Sequence, residues 1–280
     1  MSDKKIHIEK NSVQETLVIP LFGRKICSDV FGDFFADESA VGLIDKLDYD
    51  FGDYEKRSKN KVELFGALEV ATRQKAFMLE CENYLKLHPR AAIVNLGCGL
   101  DQTCENLDND LCKIYNIDMP DVIDIRNQLI PPSSRVKNIK ADLNDTSWFD
   151  EIDSREGSFF IASGVLYYFT KDQISALINA MAKRFKEGVL VFDIGGKKAV
   201  EMAVKVWIKA NGIEGVDTLF YVDSLEKDVN PWLKHAIATS RGYMTGYFDL
   251  KQPSIPKLFR ALAKVADKVM KMQIIRISFK

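Results

Sequence analysis

The sequence is short of several features that would settle its class at once. Its five cysteines, Cys27, Cys81, Cys98, Cys104 and Cys112, are odd in number and form no Cys-x-x-Cys pair. That argues against a disulfide framework and a structural zinc site, and no metal is expected. No stretch approaches the roughly 20 apolar residues of a membrane helix, and the charged start Met1-Ser2-Asp3-Lys4-Lys5-Ile6-His7 lacks the apolar core of a secretory signal. A cytoplasmic protein is expected. With 39 Lys and Arg against 40 Asp and Glu, the net charge is -1. The chain offers no electrostatic case for nucleic acid or an anionic membrane, which leaves a small or neutral partner. It carries no internal repeat or low-complexity tract, and Pro131-Pro132-Ser133-Ser134 reads as a simple loop. What is present is an ordinary globular composition, 46% hydrophobic and 28% charged over 280 residues. That suits one large α/β domain or two small ones, with the oligomeric state open.

From about residue 91 the chain alternates strand-like apolar runs with helical periods. Strands are expected at 91–96, 112–118, 135–141, 157–163 and 188–194, with helices near 101–109, 120–130, 171–186 and 197–211. This alternation implies a parallel sheet with helices on both faces, whose ligands bind beyond the carboxyl ends of the strands. Two further strands, His235 to Tyr243 and Met270 to Phe279, flank a helix near 256–269 and bring the count to seven. Before residue 90 an irregular stretch through Pro20, Gly23, Gly32, Gly42 and Gly52 leads into one long helix, about Lys61 to Leu87. Residues 1–88 are read as a cap on a core formed by 89–280. Their role is either to exclude water from a cofactor crevice or to cover one edge of the sheet.

The most informative run is Ala92-Ile93-Val94-Asn95-Leu96-Gly97-Cys98-Gly99-Leu100-Asp101, an apolar strand broken by a Gly-x-Gly turn. A dinucleotide fingerprint adds a third glycine and aims a helix N-terminus at a pyrophosphate. Here the third glycine is missing, and Asp101 and Glu105 stand where an anion would sit. Carboxylates at a helix start suit the macrodipole but repel phosphate. A cofactor with a ribose and an amino-acid group but no phosphate fits better, namely S-adenosylmethionine. Lys113-Ile114-Tyr115-Asn116-Ile117-Asp118 ends in an acid 21 residues after Gly97, placed to accept the ribose hydroxyls. Loops without a ligand also use glycine for positive φ. Cys98 lies inside the loop, where its small side chain fits, and no base stands close in sequence to make it a nucleophile.

These motifs together resemble the leucine carboxyl methyltransferase family, in particular its bacterial branch of polyketide O-methyltransferases, over nearly the whole chain. Beside the glycine run, the resemblance rests on Asp118-Met119-Pro120-Asp121-Val122-Ile123-Asp124-Ile125-Arg126, which looks like the family's Asp-x-Pro-x-Val-x-x-x-Arg element. Thr16-Leu17-Val18-Ile19-Pro20-Leu21-Phe22-Gly23-Arg24, Ile161-Ala162-Ser163-Gly164-Val165-Leu166-Tyr167-Tyr168-Phe169 and Val191-Phe192-Asp193 add to it. The resemblance implies a Rossmann-like class I methyltransferase fold, with a seven-stranded mostly parallel sheet, helices on both faces, an antiparallel last strand and an N-terminal helical cap. It implies S-adenosyl-L-methionine as cofactor, with Gly97, Cys98, Gly99 and Asp118 around it. Arg73 would hold the cofactor's carboxylate through its planar fork of donors. Asp142 and Leu143 would touch adenine, with Met119 on the other side of the ring. Ser163 would meet the methionine amine, where many relatives carry glutamate. Gln102 departs from the usual Asp-Thr sequence and leaves the local helix start open. The residue-level alternatives are a solvated helix arginine for Arg73 and a turn or N-cap acid for Asp142.

The expected activity is O-methylation of a small-molecule carboxyl or hydroxyl group, with Tyr167 or Arg24 positioning the acceptor. Adjacent tyrosines at a strand end also serve as packing residues. Three other readings stay open. Methylation of a protein C-terminal carboxyl demands a peptide groove, and a cofactor-binding protein without transfer activity is mildly favoured by Ser163. A nicotinamide-dependent oxidoreductase is disfavoured by the missing glycine.

Overall fold

The computed structural model describes residues 5–8, 15–57, 60–203 and 220–280. Its centre is a seven-stranded sheet of β3 (Ala92–Leu96), β4 (Lys113–Asp118), β5 (Val136–Lys140), β6 (Ser158–Ala162), β7 (Val189–Ile194), β8 (Ala236–Gly242) and β9 (Gln273–Phe279). The spatial order is β5-β4-β3-β6-β7-β9-β8. The first five strands are parallel, and β9 enters antiparallel between β7 and β8. That is the class I methyltransferase sheet. The chain reverses direction along the sheet at β3, whose carboxyl end therefore opens onto the crevice where such folds bind ligands.

Strands β3, β6 and β7 are buried along their whole length, as parallel strands covered on both faces must be. Alternation sorts their side chains into two layers. Ile93, Phe159, Ile161, Val189 and Val191 join the long helix α4 (Lys61–Leu87) and the helices packed with it. Val94, Phe160, Leu190 and Phe192 join α7 (Lys171–Arg184) and the aromatic cluster of Trp148, Phe149 and Phe185. Helix α4 begins where the Asn60 side chain accepts the Val62 N–H, and α7 begins with a Thr170–Gln173 capping box.

Two expectations are corrected. The stretch around Pro20, Gly23, Gly42 and Gly52 is helical, forming α1 (Glu15–Val30), α2 (Glu38–Ile44) and α3 (Gly52–Arg57), with a short parallel pair of β1 (Ile6–His7) and β2 (Leu47–Asp48). Val18, Leu21, Phe22, Ile26 and Cys27 line one buried face of α1, and this burial outweighs the local cost of Pro20. Gly23 faces α4, where an added Cβ would make only ordinary contact with Val70 at 3.4 Å. The helix expected over 101–109 shrinks to α5 (Thr103–Asn106). Beyond it the Asp108 side chain accepts the Asp110 N–H, and Asn109 accepts those of Leu111 and Cys112. These side chains satisfy the backbone in place of further helical turns. Helices α6 (Pro120–Leu129), α8 (Lys197–Ala203), α9 (Leu225–Asp228) and α10 (Lys257–Val269) complete the elements. Of the helix expected over 197–211, residues 204–211 lie outside the described residues.

Candidate active site

A cavity of about 340 Å³ lies beyond the carboxyl ends of β3, β4, β5 and β6. Gly97, Cys98, Gly99, Asp118, Met119, Asp142, Leu143, Ser163 and Arg73 all line it, as does Arg24. The glycine turn shapes the floor. Gly97 and Gly99 have φ of 63° and 48°, a backbone conformation that glycine adopts without strain. The N–H groups of Gly97 and Cys98 both donate to the Ile117 carbonyl, at 2.8 and 3.1 Å, tying the turn to the end of β4. Arg126, fully buried on α6, donates to the carbonyls of Gly99 (2.9 Å) and Asp101 (2.7 Å) and pairs with Glu105 at 2.5 Å. The arginine of the Asp-x-Pro element is thus a brace for the glycine loop.

Asp118 closes β4 and accepts one backbone N–H on each oxygen, from Gly99 and from Met119, both at 2.8 Å. Burial pushes its carboxyl above the usual 3.8, while the two N–H bonds pull the other way. Asp142 is exposed and accepts both the backbone and side-chain N–H of Asn144 at 2.9 Å. It is a turn acid and a cavity-lining residue at once. Leu143 is buried, and Met119 is 48% exposed at the rim. Burial raises the Cys98 thiol well above its ordinary range, which keeps it protonated and removes it as a nucleophile.

Arg73 reaches from α4 to the carboxyl end of β7, where its Nη1 donates to Asp193 Oδ2 at 2.9 Å. Burial works against its charge, but the Asp193 carboxylate, with Tyr243, Tyr167 and Glu69 nearby, raises its pKa above the usual value. Its Nε is buried with no hydrogen-bond partner. The pair expected to position an acceptor is rearranged. The Tyr167 hydroxyl donates to Asp193 at 3.0 Å, and its side chain is absent from the cavity lining. The 3-10 turn Leu166–Tyr168 brings Tyr168, 41% exposed, to the cavity instead. Arg24 is 4% exposed, and its Nη1 donates to Asp101 at 2.6 Å and to Gln74 at 3.0 Å, with Asp37 at 3.5 Å. Asp101 also accepts from Asn95, Thr103 and Gln74. Arg24 therefore locks the cap helices onto the glycine loop.

Sequence reasoning gave no role to Asp193, Asn95 or Gln74. Two of these carried a signal: Asp193 is the one carboxylate in the otherwise apolar strand Val189-Leu190-Val191-Phe192-Asp193-Ile194, and Asn95 is the one polar residue in β3. Among the described residues no cluster of His, Cys, Asp or Glu is arranged to hold a metal ion, and no helix is long and apolar enough to cross a membrane.

The fold and the cavity together define a class I methyltransferase. The model of the leucine carboxyl methyltransferase family matches residues 20–182, and the chain belongs to that family, whose methyl donor is S-adenosylmethionine. It is 24% identical over 188 residues to the tetracenomycin polyketide synthesis O-methyltransferase TcmP of Streptomyces glaucescens, covering 66% of this chain and 67% of that protein. In fold it is similar to a structure from Thermobifida fusca described as a candidate methyltransferase. The TM-score there is 0.58 at 12% identity, over 97% of this chain and 95% of that one. A protein from Streptomyces avermitilis has the same TM-score at 10% identity, over 91% of this chain and all of its own.

Proposed function

We propose that the protein methylates an oxygen of a small-molecule acceptor, a carboxyl or hydroxyl group, with S-adenosylmethionine held in the cavity described above. The observation that carries this reading is the convergence of Arg73, Asp118, Met119 and Leu143 on one cavity beside the Gly97–Gly99 turn. These groups fit the cofactor. The buried, unpartnered Arg73 Nε suits a carboxylate, since an orphaned buried donor is costly. Asp118 uses its carboxylate oxygens on backbone donors and keeps acceptor capacity for ribose hydroxyls. Leu143 and Met119 would supply apolar surface for adenine, while Asp142 and Ser163, which line the same cavity, would meet the ring and the methionine amine.

When bound, the cofactor supplies an electrophilic methyl group on a sulfonium. Methyl transfer consumes that positive charge, so the protein's contributions are alignment and exclusion of water. The cap formed within residues 1–88 excludes water in this reading, with Leu17, Pro20 and Val70 facing the cavity from α1 and α4. Tyr168 and Phe169 line the cavity from the segment after β6 and meet the acceptor. A carboxylate acceptor needs no general base, whereas a hydroxyl needs a partner that favours its ionised form. The reading extends to a cytoplasmic location, supported by five cysteines that are all free and buried.

The test is turnover of S-adenosylmethionine with a panel of aromatic carboxylic acids, phenols and a leucine-terminated peptide, followed by mass spectrometry. A gain of one methyl on a small acid or phenol is expected. Methylation of the peptide alone would favour a protein substrate. Binding without transfer to any acceptor would favour a sensor.

A further inference from the structure

Asp193 is a fully buried carboxylate at the end of β7, and three donors from three segments converge on it. Arg73 on α4 and Tyr167 in the 3-10 turn share Oδ2, at 2.9 and 3.0 Å, and the Gly164 N–H meets Oδ1 at 2.6 Å. The half-buried Glu69 and the buried Tyr243 stand beside this group, with the Tyr243 hydroxyl donating to Glu69 at 2.9 Å. Of the three donors, Arg73 and Gly164 line the cavity, while Asp193 and Tyr167 lie outside its lining. Resting on the reading of Arg73 as the cofactor's carboxylate clamp, we propose that Asp193 is the positioning residue for the amino-acid end of the cofactor. It fixes the guanidinium of Arg73 and the Ser163–Gly164 turn in one arrangement.

The physical basis is a count of acceptors. A carboxylate accepts on both oxygens, whereas an amide accepts on one and must turn its NH₂ toward a donor. In Asp193→Asn either the Gly164 N–H or the Arg73–Tyr167 pair therefore faces a second donor, and Arg73, whose side chain is only 16% exposed, loses its counter-charge. Gly164 has a φ of 70°, and a Cβ there would lie 3.6 Å from Arg73 Nη1. The turn and the guanidinium are thus neighbours, and what couples them is their shared acceptor, Asp193.

The test is calorimetric titration of wild type, Asp193→Asn, Arg73→Ala and the double variant with two probes. S-adenosylhomocysteine carries the amino-acid end, and 5′-methylthioadenosine lacks it. Asp193→Asn is expected to weaken S-adenosylhomocysteine by about tenfold or more while 5′-methylthioadenosine stays within about twofold. The double variant should bind S-adenosylhomocysteine no worse than Arg73→Ala, because the two residues act through one contact. Tyr167→Phe keeps every charge and should shift S-adenosylhomocysteine selectively by about two- to threefold, a second readout should the asparagine variant fail to fold. Equal loss of both probes, no loss of either, or additive effects in the double variant would overturn the positioning role. Unchanged S-adenosylhomocysteine affinity in Arg73→Ala would instead remove Arg73 from the cofactor site.

Discussion

Asp118 is the residue on which cofactor affinity should depend most visibly. Asp118→Ala is expected to weaken S-adenosylhomocysteine binding by about 1.5–3 kcal/mol, the worth of charge-assisted hydrogen bonds; unchanged affinity in a titration would take it out of the site. Its titration gives an independent check. Ribose hydroxyls donate to the ionised form, so affinity is complete above the folded-state pKa and is lost as the pH falls through it. Burial raises that pKa above 3.8, so the loss should set in at a higher pH than for an ordinary aspartate, and Asp118→Asn should abolish this part of the profile. Asp118 was legible in the sequence because an acid closing the strand after a glycine turn has a fixed place in such sheets. The partners of Arg24 and Arg73 were not legible. Asp101 lies 77 residues from Arg24 and Asp193 lies 120 from Arg73, and nothing in local spacing reports such pairs. The choice between Tyr167 and Tyr168 turned on the phase of a 3-10 turn, which two adjacent identical residues do not reveal.

Among the elements, the glycine turn and its arginine brace carry the sharpest expectations. Gly97→Ala places a Cβ 2.4 Å from the Val165 side chain at a positive φ; it should destabilise the fold and abolish binding, as read by chemical denaturation and titration. Gly42 in α2 has nothing within 4 Å of its added Cβ, so Gly42→Ala should stabilise by about 0.5–1 kcal/mol. Similar behaviour of the two variants would contradict the account of the turn. Arg126→Ala removes a buried cation from two loop carbonyls and from Glu105, and a cost of about 3–5 kcal/mol is expected in denaturant. Strands β3, β6 and β7 and helix α4 were legible because burial on two faces writes near-continuous apolar runs and α4 spans seven turns between a clear cap and a proline. Helices α1 and α2 were obscured by Pro20, Gly23 and Gly42, whose local preferences are overruled by tertiary burial. The last turns expected of α5 were lost to Asp108 and Asn109.

At the scale of the whole molecule, strand spacing alone implied a parallel sheet but not its order. The antiparallel direction of β9 was expected only through the family resemblance, because pairing direction leaves no trace in an isolated apolar strand, and its place between β7 and β8 was not expected. Glycine turn, strand-end acid and cap helices line one cavity because the chain reverses beside β3. Any ligand of that site should stabilise the entire fold, by about 2.7 kcal/mol at a hundredfold excess over its Kd. The central claim, a phosphate-free nucleoside cofactor in this cavity, is tested most directly by calorimetric titration of the purified protein with S-adenosylmethionine, S-adenosylhomocysteine and a nicotinamide dinucleotide. The account predicts micromolar binding of both sulfur ligands and none of the dinucleotide. Binding of the dinucleotide, or silence from both sulfur ligands, would contradict it.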